Sequence, residues 1–245
     1  MPLLIVILQL IIALFTFPIH ILNLLGLWSF FSKKIFPYVL TSLAAGYNKA
    51  MEATKKDLFS NLCNFARPSG ELNLLEIGCG SGSNFQFYPP NCKVTCLDIN
   101  PNFQKFLRKS QAENNHLKFE HFLVASADNM KQVADSSLDV VVCTLLACSL
   151  PSTIRMLEEV WRVLRPGGAF YFLEHVASSD ESSWISFMQK TLNPTWKLFF
   201  DGCDLRKTTW KDLENANFSV LKLRHIQAPI FLKPVTPHIV GYAVK

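Results

Sequence analysis

The spacing of apolar and polar positions divides the chain into two regimes. Before residue 33 it is almost uniformly apolar, whereas beyond residue 71 short apolar runs alternate with amphipathic ones. Residues 72–77 read as a buried strand, 93–97 as a second, 118–124 as a third and 138–143 as a fourth. Between the second and third, residues 101–114 place Phe103, Phe106 and Leu107 on one helical face. Residues 152–164 carry Ile154, Leu157, Val160, Trp161 and Leu164 at helical spacing. That helix is expected to stop at Arg165-Pro166-Gly167-Gly168, since proline and glycine do not continue it. A fifth strand over 169–173 follows, then helical pieces near 182–200 and 208–216. Two last strands are expected over 218–226 and 238–244. Strands separated by helices predict an α/β fold with a seven-stranded, mainly parallel sheet covered by helices on both faces.

From Pro2 to Ser32 there is no Lys, Arg, Asp or Glu, and His20 is the only ionisable side chain. Nothing basic precedes this run and its far end is bulky, unlike a cleaved signal peptide. As one straight helix it would extend roughly 43 Å, against a hydrocarbon core about 30 Å thick. Pro18 removes an amide donor in mid-run, so a tilted span, a re-entrant hairpin and two short arms in one leaflet all stay open. Residues 1–32 are therefore read as a hydrophobic membrane anchor, 33–70 as a basic juxtamembrane linker and helix, and 71–245 as the α/β domain. Lys33, Lys34, Lys49, Lys55, Lys56 and Arg67 outnumber Glu52 and Asp57 after the anchor. By the positive-inside tendency this belt turns the domain toward the cytosol, where it also suits anionic headgroups.

A net charge of +5 over 245 residues, with no long basic run or basic-aromatic ladder, predicts no nucleic-acid partner. The seven cysteines are odd in number and mostly lie in strand-like runs, which predicts reduced, buried thiols. Neither Cys92/Cys96 nor Cys143/Cys148 has a second pair at zinc-site spacing, so no metal is expected.

The sharpest motif is Leu74-Leu75-Glu76-Ile77-Gly78-Cys79-Gly80-Ser81-Gly82. A buried strand ending in a glycine turn lets backbone approach a ligand at the carboxyl edge of the sheet. Asp98 ends the next strand, where a carboxylate meets the hydroxyls of a ribose lying across both strand tips. A dinucleotide fingerprint needs a glycine where Ser83 stands. Pro89-Pro90 also curtails the helix that would aim its N-terminus at a pyrophosphate. S-adenosylmethionine carries no phosphate and tolerates that loss.

This arrangement resembles the first motif of class I Rossmann-like methyltransferases. The likeness implies cofactor contacts from Glu76, Gly78, Gly80, Gly82 and Asp98, with Asp128 near the adenine amine. It also places Cys143, Thr144 and Leu145 along the methionine end. Each has a plainer reading: Asp128 as a helix cap, Cys143 as strand core.

Further strings are more specific: Gly26-Leu27-Trp28, Phe36-Pro37-Tyr38, Asn84-Phe85-Gln86-Phe87-Tyr88-Pro89-Pro90, Asp139 to Leu145, Phe200-Asp201-Gly202-Cys203 and Pro237-His238-Ile239. With them the chain resembles, over nearly its whole length, the membrane-bound alkyl thiol S-methyltransferases of endoplasmic reticulum and lipid droplets. The resemblance implies methyl transfer to small lipophilic thiols, hydrogen sulfide being a candidate, at a bilayer or lipid-droplet surface. Asp98-Ile99-Asn100-Pro101 and Leu146-Ala147-Cys148 depart from the family's pattern at the ribose loop and a pocket wall.

A thiol supplies its own thiolate near neutral pH, so no general base is strictly required. His175, expected just after the fifth strand, and Asp201 on a presumed lid are the candidates should one exist. Tyr47-Asn48 are candidates to fold over the cofactor, or are ordinary linker helix. Two other functions remain open from sequence: methylation of a membrane-embedded quinone or lipid, and a lipid-droplet recruitment protein without catalysis.

Overall fold

Alternating side chains along central strands need cover on both faces, and the fold supplies it. The computed structural model describes residues 2–245. Strands β1 (Asn73–Ile77), β2 (Lys93–Asp98), β3 (Lys118–Val124), β4 (Leu138–Thr144) and β5 (Leu164–His175) are parallel. β6 (Val220–Gln227) and β7 (Pro237–Val244) form an antiparallel hairpin, and β7 joins β5 antiparallel. The order β3-β2-β1-β4-β5-β7-β6 reverses direction between β1 and β4, the switch point where open α/β sheets bind ligands.

One layer buries Leu74, Val94, Val140, Val142 and Tyr171 beneath Leu58, Phe59, Leu62 and Leu107. The opposite layer buries Leu75, Ile77, Val141, Phe170 and Phe172 beneath Met156, Leu157, Val160 and Leu213. The covering helices are α4 (Glu52–Phe59), α5 (Gln104–Glu113), α6 (Thr153–Val163) and α8 (Thr209–Asn215), while α7 (Trp184–Phe199) follows β5 and packs against the N-terminal helix. Ser152 caps α6 by accepting from the Arg155 amide, and Ser183 caps α7 by accepting from that of Ser186.

Two boundaries differ from expectation. The turn at 165–168 is absorbed into β5, because β5 pairs with β4 from Leu138↔Leu164 onward across a register shift; Gly167 takes φ +74° there. His175 is consequently the last residue of β5, not a residue beyond it. At the other end, helix α3 (Leu27–Ala50) starts before the linker and helix expected over 33–70 and runs unbroken across residues 32 and 33, the expected boundary between anchor and linker.

The apolar N-terminus folds as α1 (Pro2–Phe15) and α2 (Phe17–Leu24), bent by 79° at Thr16. Pro18 lies in the first turn of α2, where a missing amide costs no helical bond. One side of α1 rests on α7: the Gln9 amide donates to the Lys190 carbonyl at 2.8 Å. Trp28, at the start of α3, donates to the Leu198 carbonyl at 2.7 Å and packs edge-on to Phe199.

At the amino edge of the sheet, Asp139 is fully buried and accepts from Arg165 Nε at 2.5 Å, Arg67 Nε at 3.1 Å and the Asn73 amide at 2.8 Å. It ties β4 to β1 and to the segment before it. Removing one partner of a buried ion pair leaves charge without compensation. Asp139→Ala should lower unfolding free energy by about 3 kcal/mol, measured by urea denaturation; a change within experimental error would show the pairing to be inessential.

Candidate functional site

At the switch point the three glycines of the turn adopt left-handed φ: +64° at Gly78, +52° at Gly80 and +75° at Gly82. At Gly82 a Cβ would lie 2.3 Å from the Phe85 ring, whereas at Gly80 its nearest neighbour is Leu40 at 3.6 Å. The turn is thus tightly packed at its base and more loosely covered along its middle, by Leu40 and Phe103. Asp98 stands beside it, almost fully buried. One oxygen accepts from the Gly80 amide at 3.0 Å and the other from the Asn100 amide at 2.8 Å. Each oxygen keeps a lone pair, which is the acceptor pair a ribose diol needs. Burial pushes the Asp98 carboxyl up to about 6, with the two amides working against that rise.

Glu76 is buried one step earlier. It accepts from Asn84 Nδ2 at 2.7 Å and from the Tyr88 hydroxyl at 2.9 Å. Asn84 also donates to Thr144 Oγ1 at 2.8 Å and accepts from Lys55 Nζ at 2.7 Å. Lys55 bonds in addition to Asn48 Oδ1 at 2.6 Å, and Asn48 donates to the Ser83 carbonyl at 2.7 Å. Asn84 therefore presents oxygen to an ammonium and nitrogen to a carboxylate, a buried bridge between opposite charges. Burial pushes Glu76 up to about 7 and Lys55 down to about 8. Lys55 is only 1% exposed, which removes it from the basic belt expected on the membrane side. Its burial was hidden in sequence among neighbouring surface lysines.

The other expected residues divide. Thr144 joins this network through Asn84. Leu145 takes φ +56° and donates its amide to the Leu173 carbonyl; this turn brings Leu146 against Gly78. The Cys143 side chain points into the core, 3.2 Å from Glu174 Oε1, which also accepts from the Leu146 amide at 3.0 Å. Asp128 is half-buried and accepts from Ser126 at 2.5 Å. No helix directly follows it among the described residues, so the cap reading fails.

Each imidazole near this edge has a side-chain partner. His175 lies 2.9 Å from Cys203 Sγ. His238 Nε2 meets the Tyr47 hydroxyl at 3.1 Å while its Nδ1 lies 3.1 Å from the Thr236 carbonyl. Burial pushes His238 down to about 4, so it is neutral, with Nδ1 donating to the carbonyl and Nε2 accepting from Tyr47. Asp201 sits in the turn after α7 with φ +48°, and burial raises its carboxyl. Of the two lid candidates, Tyr47 and Asn48 are both fastened to the domain from α3.

The comparisons add the family. Residues 75–172 match the model of a methyltransferase domain. The chain is 61% identical to thiol S-methyltransferase TMT1A of Homo sapiens over 91% of each chain. It is 53% identical to thiol S-methyltransferase TMT1B of Rattus norvegicus over the whole of both. The chain belongs to the thiol S-methyltransferase family. A geranyl diphosphate methyltransferase solved with S-adenosylmethionine shares the fold at 13% identity and TM-score 0.57, covering 78% of this chain and 84% of that one. The methyl donor of this family member is S-adenosylmethionine, and the left-handed glycine turn and the spare lone pairs of Asp98 fit it.

Asp98→Ala should abolish cofactor binding while thermal unfolding changes little, since two charged acceptors worth about 1.5–3 kcal/mol for each hydrogen bond are lost. Calorimetry giving a near-normal dissociation constant contradicts the site. In the wild type the carboxylate must be ionised to accept from both hydroxyls. Affinity should therefore be flat above pH 6 and fall as pH drops below about 6; affinity that stays level through that range assigns the ribose contact elsewhere.

Proposed function

We propose that the chain transfers the methyl group of S-adenosylmethionine to small lipophilic thiols, hydrogen sulfide being one candidate, at a membrane or lipid-droplet surface. The observation that carries the thiol reading is the engagement of both imidazoles at the carboxyl edge, added to the full-length likeness to thiol S-methyltransferases. A hydroxyl or protonated amine needs a placed base, because its nucleophilic form is scarce near pH 7; a thiol with pKa ~8.5 does not. The sulfonium supplies an already activated methyl. What remains for the protein is alignment of acceptor and donor and exclusion of water from a step that destroys charge. Apolar Leu40, Phe103 and Leu146 surround the glycine turn and serve that exclusion.

The membrane reading rests on exposed apolar surface. Among the described residues no single helix is long and apolar enough to cross a bilayer, and α1 with α2 qualify only as a bent pair. α1 also has one flank docked on α7, while Leu10, Leu14 and Phe15 on its other flank are 65%, 73% and 82% exposed. This favours two short arms lying in one leaflet over a tilted span. The domain then faces the cytosol from the endoplasmic reticulum or a lipid droplet.

Acceptor kinetics and membrane flotation test these readings. In a screen of thiol, amine, phenol, quinol and carboxylate acceptors, alkyl thiols should be methylated fastest. Turnover should climb with pH and level off near the pKa of the thiol used. His175→Ala should cost less than the ~10²–10⁴-fold typical of a lost general base. A phenol or quinol outpacing every alkyl thiol overturns the acceptor, and no turnover at all favours a recruitment protein. For the membrane, Leu14→Asp with Phe15→Asp should release the folded protein from liposomes in a flotation assay. Retention of the double variant places the membrane contact elsewhere.

A further inference from the structure

Beyond the cofactor turn, three reactive side chains from three separate elements converge. Cys148 lies in the 3-10 turn Ala147–Ser149 after β4, His175 ends β5, and Cys203 follows α7. Their Sγ and nitrogen atoms all lie within 4.8 Å of one another. Both cysteines are free thiols. The Asp204 amide donates to the Cys148 carbonyl at 2.9 Å, so the two cysteine-bearing segments are stitched together beside the sulfurs. The Cys203 amide closes onto the Phe200 carbonyl and that of Gly202 onto the Lys197 carbonyl. With Asp201 and Gly202 both left-handed, this turn folds Cys203 back beneath Trp196, whose indole N–H donates to its sulfur at 3.2 Å.

The two sulfurs are unequal. Cys203 is met by Cys148, His175 and Trp196, and these hydrogen bonds pull its thiol down to about 5 against the effect of burial. Cys148 is held well above the ordinary thiol range, by its bond to Cys203 and by burial. The imidazole and indole nitrogens both meet Cys203 and neither meets Cys148, so negative charge is better held on Cys203, the division of labour of a nucleophilic and a resolving cysteine. Cys203 is buried at 8% exposure but lies in a turn next to exposed Gly202, so a disulfide reaches its sulfur when that turn opens. A metal centre fits these atoms less well. Tetrahedral zinc holds its sulfur and nitrogen ligands about 3.5 Å apart, given Zn–S ~2.3 Å and Zn–N ~2.0 Å, whereas His175 and Cys203 are at 2.9 Å. His175 Nδ1 is also buried without a partner, and metal-bound imidazoles ordinarily have one there.

We infer that Cys203 and Cys148 form a dithiol site that reduces small lipophilic disulfides, the oxidised form of the acceptor, releasing thiols beside the methyl-transfer site. The choice of disulfide rests on the thiol reading above. The Cys203 thiolate attacks one sulfur of R–S–S–R, the S–S bond breaks, and the departing thiolate takes the proton from the His175 imidazolium. A mixed disulfide remains on Cys203. Cys148 then passes its proton to His175 and attacks the Cys203 sulfur. The second thiolate leaves and takes that proton, and a Cys148–Cys203 disulfide is formed. Two thiols of the protein are oxidised while one disulfide is reduced to two thiols. A low-molecular-weight thiol of the glutathione class returns the site to the dithiol.

Full-length protein in detergent, carrying Cys63→Ser to remove the exposed thiol and treated with diethyl disulfide without oxygen, should lose the mass of two hydrogens and release two ethanethiols per chain; the variants below share that background. Peptide mapping should place the link between Cys148 and Cys203, with a change in Trp196 fluorescence. Cys148→Ser should stop at the mixed disulfide and gain the mass of one ethylthio group. Cys203→Ser, shown folded by its cofactor affinity, should do neither. A link between other cysteines, thiols that stay free under excess disulfide, or a tightly bound zinc ion protecting the cluster overturns the inference. None of these readouts depends on methyl transfer, so their failure leaves the acceptor screen to decide that question separately.

Discussion

The carboxylate of Asp98 is the constraint on which the functional edge depends. A buried anion requires partners, and the nearest donors are the Gly80 amide on one strand tip and that of Asn100 on its own loop. Satisfying it fixes the distance between the glycine turn and the β2 tip and leaves one lone pair on each oxygen directed at the same space. The same loop holds α3: Asn100 Nδ2 donates to the Lys33 carbonyl at 2.8 Å. Leu40 of α3 then lies over Gly80, and Tyr47 and Asn48 are pinned to His238 and Ser83. One charge thus couples ligand geometry to the helix that leads back to the apolar N-terminus.

That coupling gives the N-terminal segment a part in the cofactor site, besides the membrane contact proposed for it. α3 begins among exposed apolar residues and ends in the Lys55-Asn84-Glu76 network through Asn48. Under the in-leaflet reading, a lipophilic acceptor partitions into the layer that bears the outer face of α3, while its inner face covers the cofactor turn. Cys203 and its turn are joined to the same region through α7, on which α1 and Trp28 rest.

Much of this was readable from sequence, for definite reasons. Strands buried on both faces, such as β1, β4 and β5, make continuous apolar runs punctuated by Pro and Gly, while the edge strands β3 and β6 showed only as mixed apolar and polar runs. Gly78, Gly80 and Gly82 were legible because left-handed backbone selects glycine, and Asp98 because it ends the adjacent strand. The features that escaped depend on distant partners. Lys55 looks like any surface lysine until Asn48 and Asn84 close on it. Glu174 sits in an apolar strand with nothing nearby to announce its hold on Leu146 and Cys143. Cys148, His175 and Cys203 are far apart in sequence and meet only because β4, β5 and the turn after α7 end at one edge. The absorption of Arg165 to Gly168 into β5 was equally invisible, being decided by pairing with β4 and not by local propensity.

Amide hydrogen exchange with and without S-adenosylmethionine addresses the central claim directly, because the claim joins two strand tips and a helix into one site. Cofactor should slow exchange across the Gly78–Gly82 turn, at Asn100 and along α3 from Leu40 to Asn48, and leave β3 and β6 unchanged. Protection confined to other segments, or a turn protected while α3 exchanges as before, would contradict a site built around Asp98 and closed by that helix.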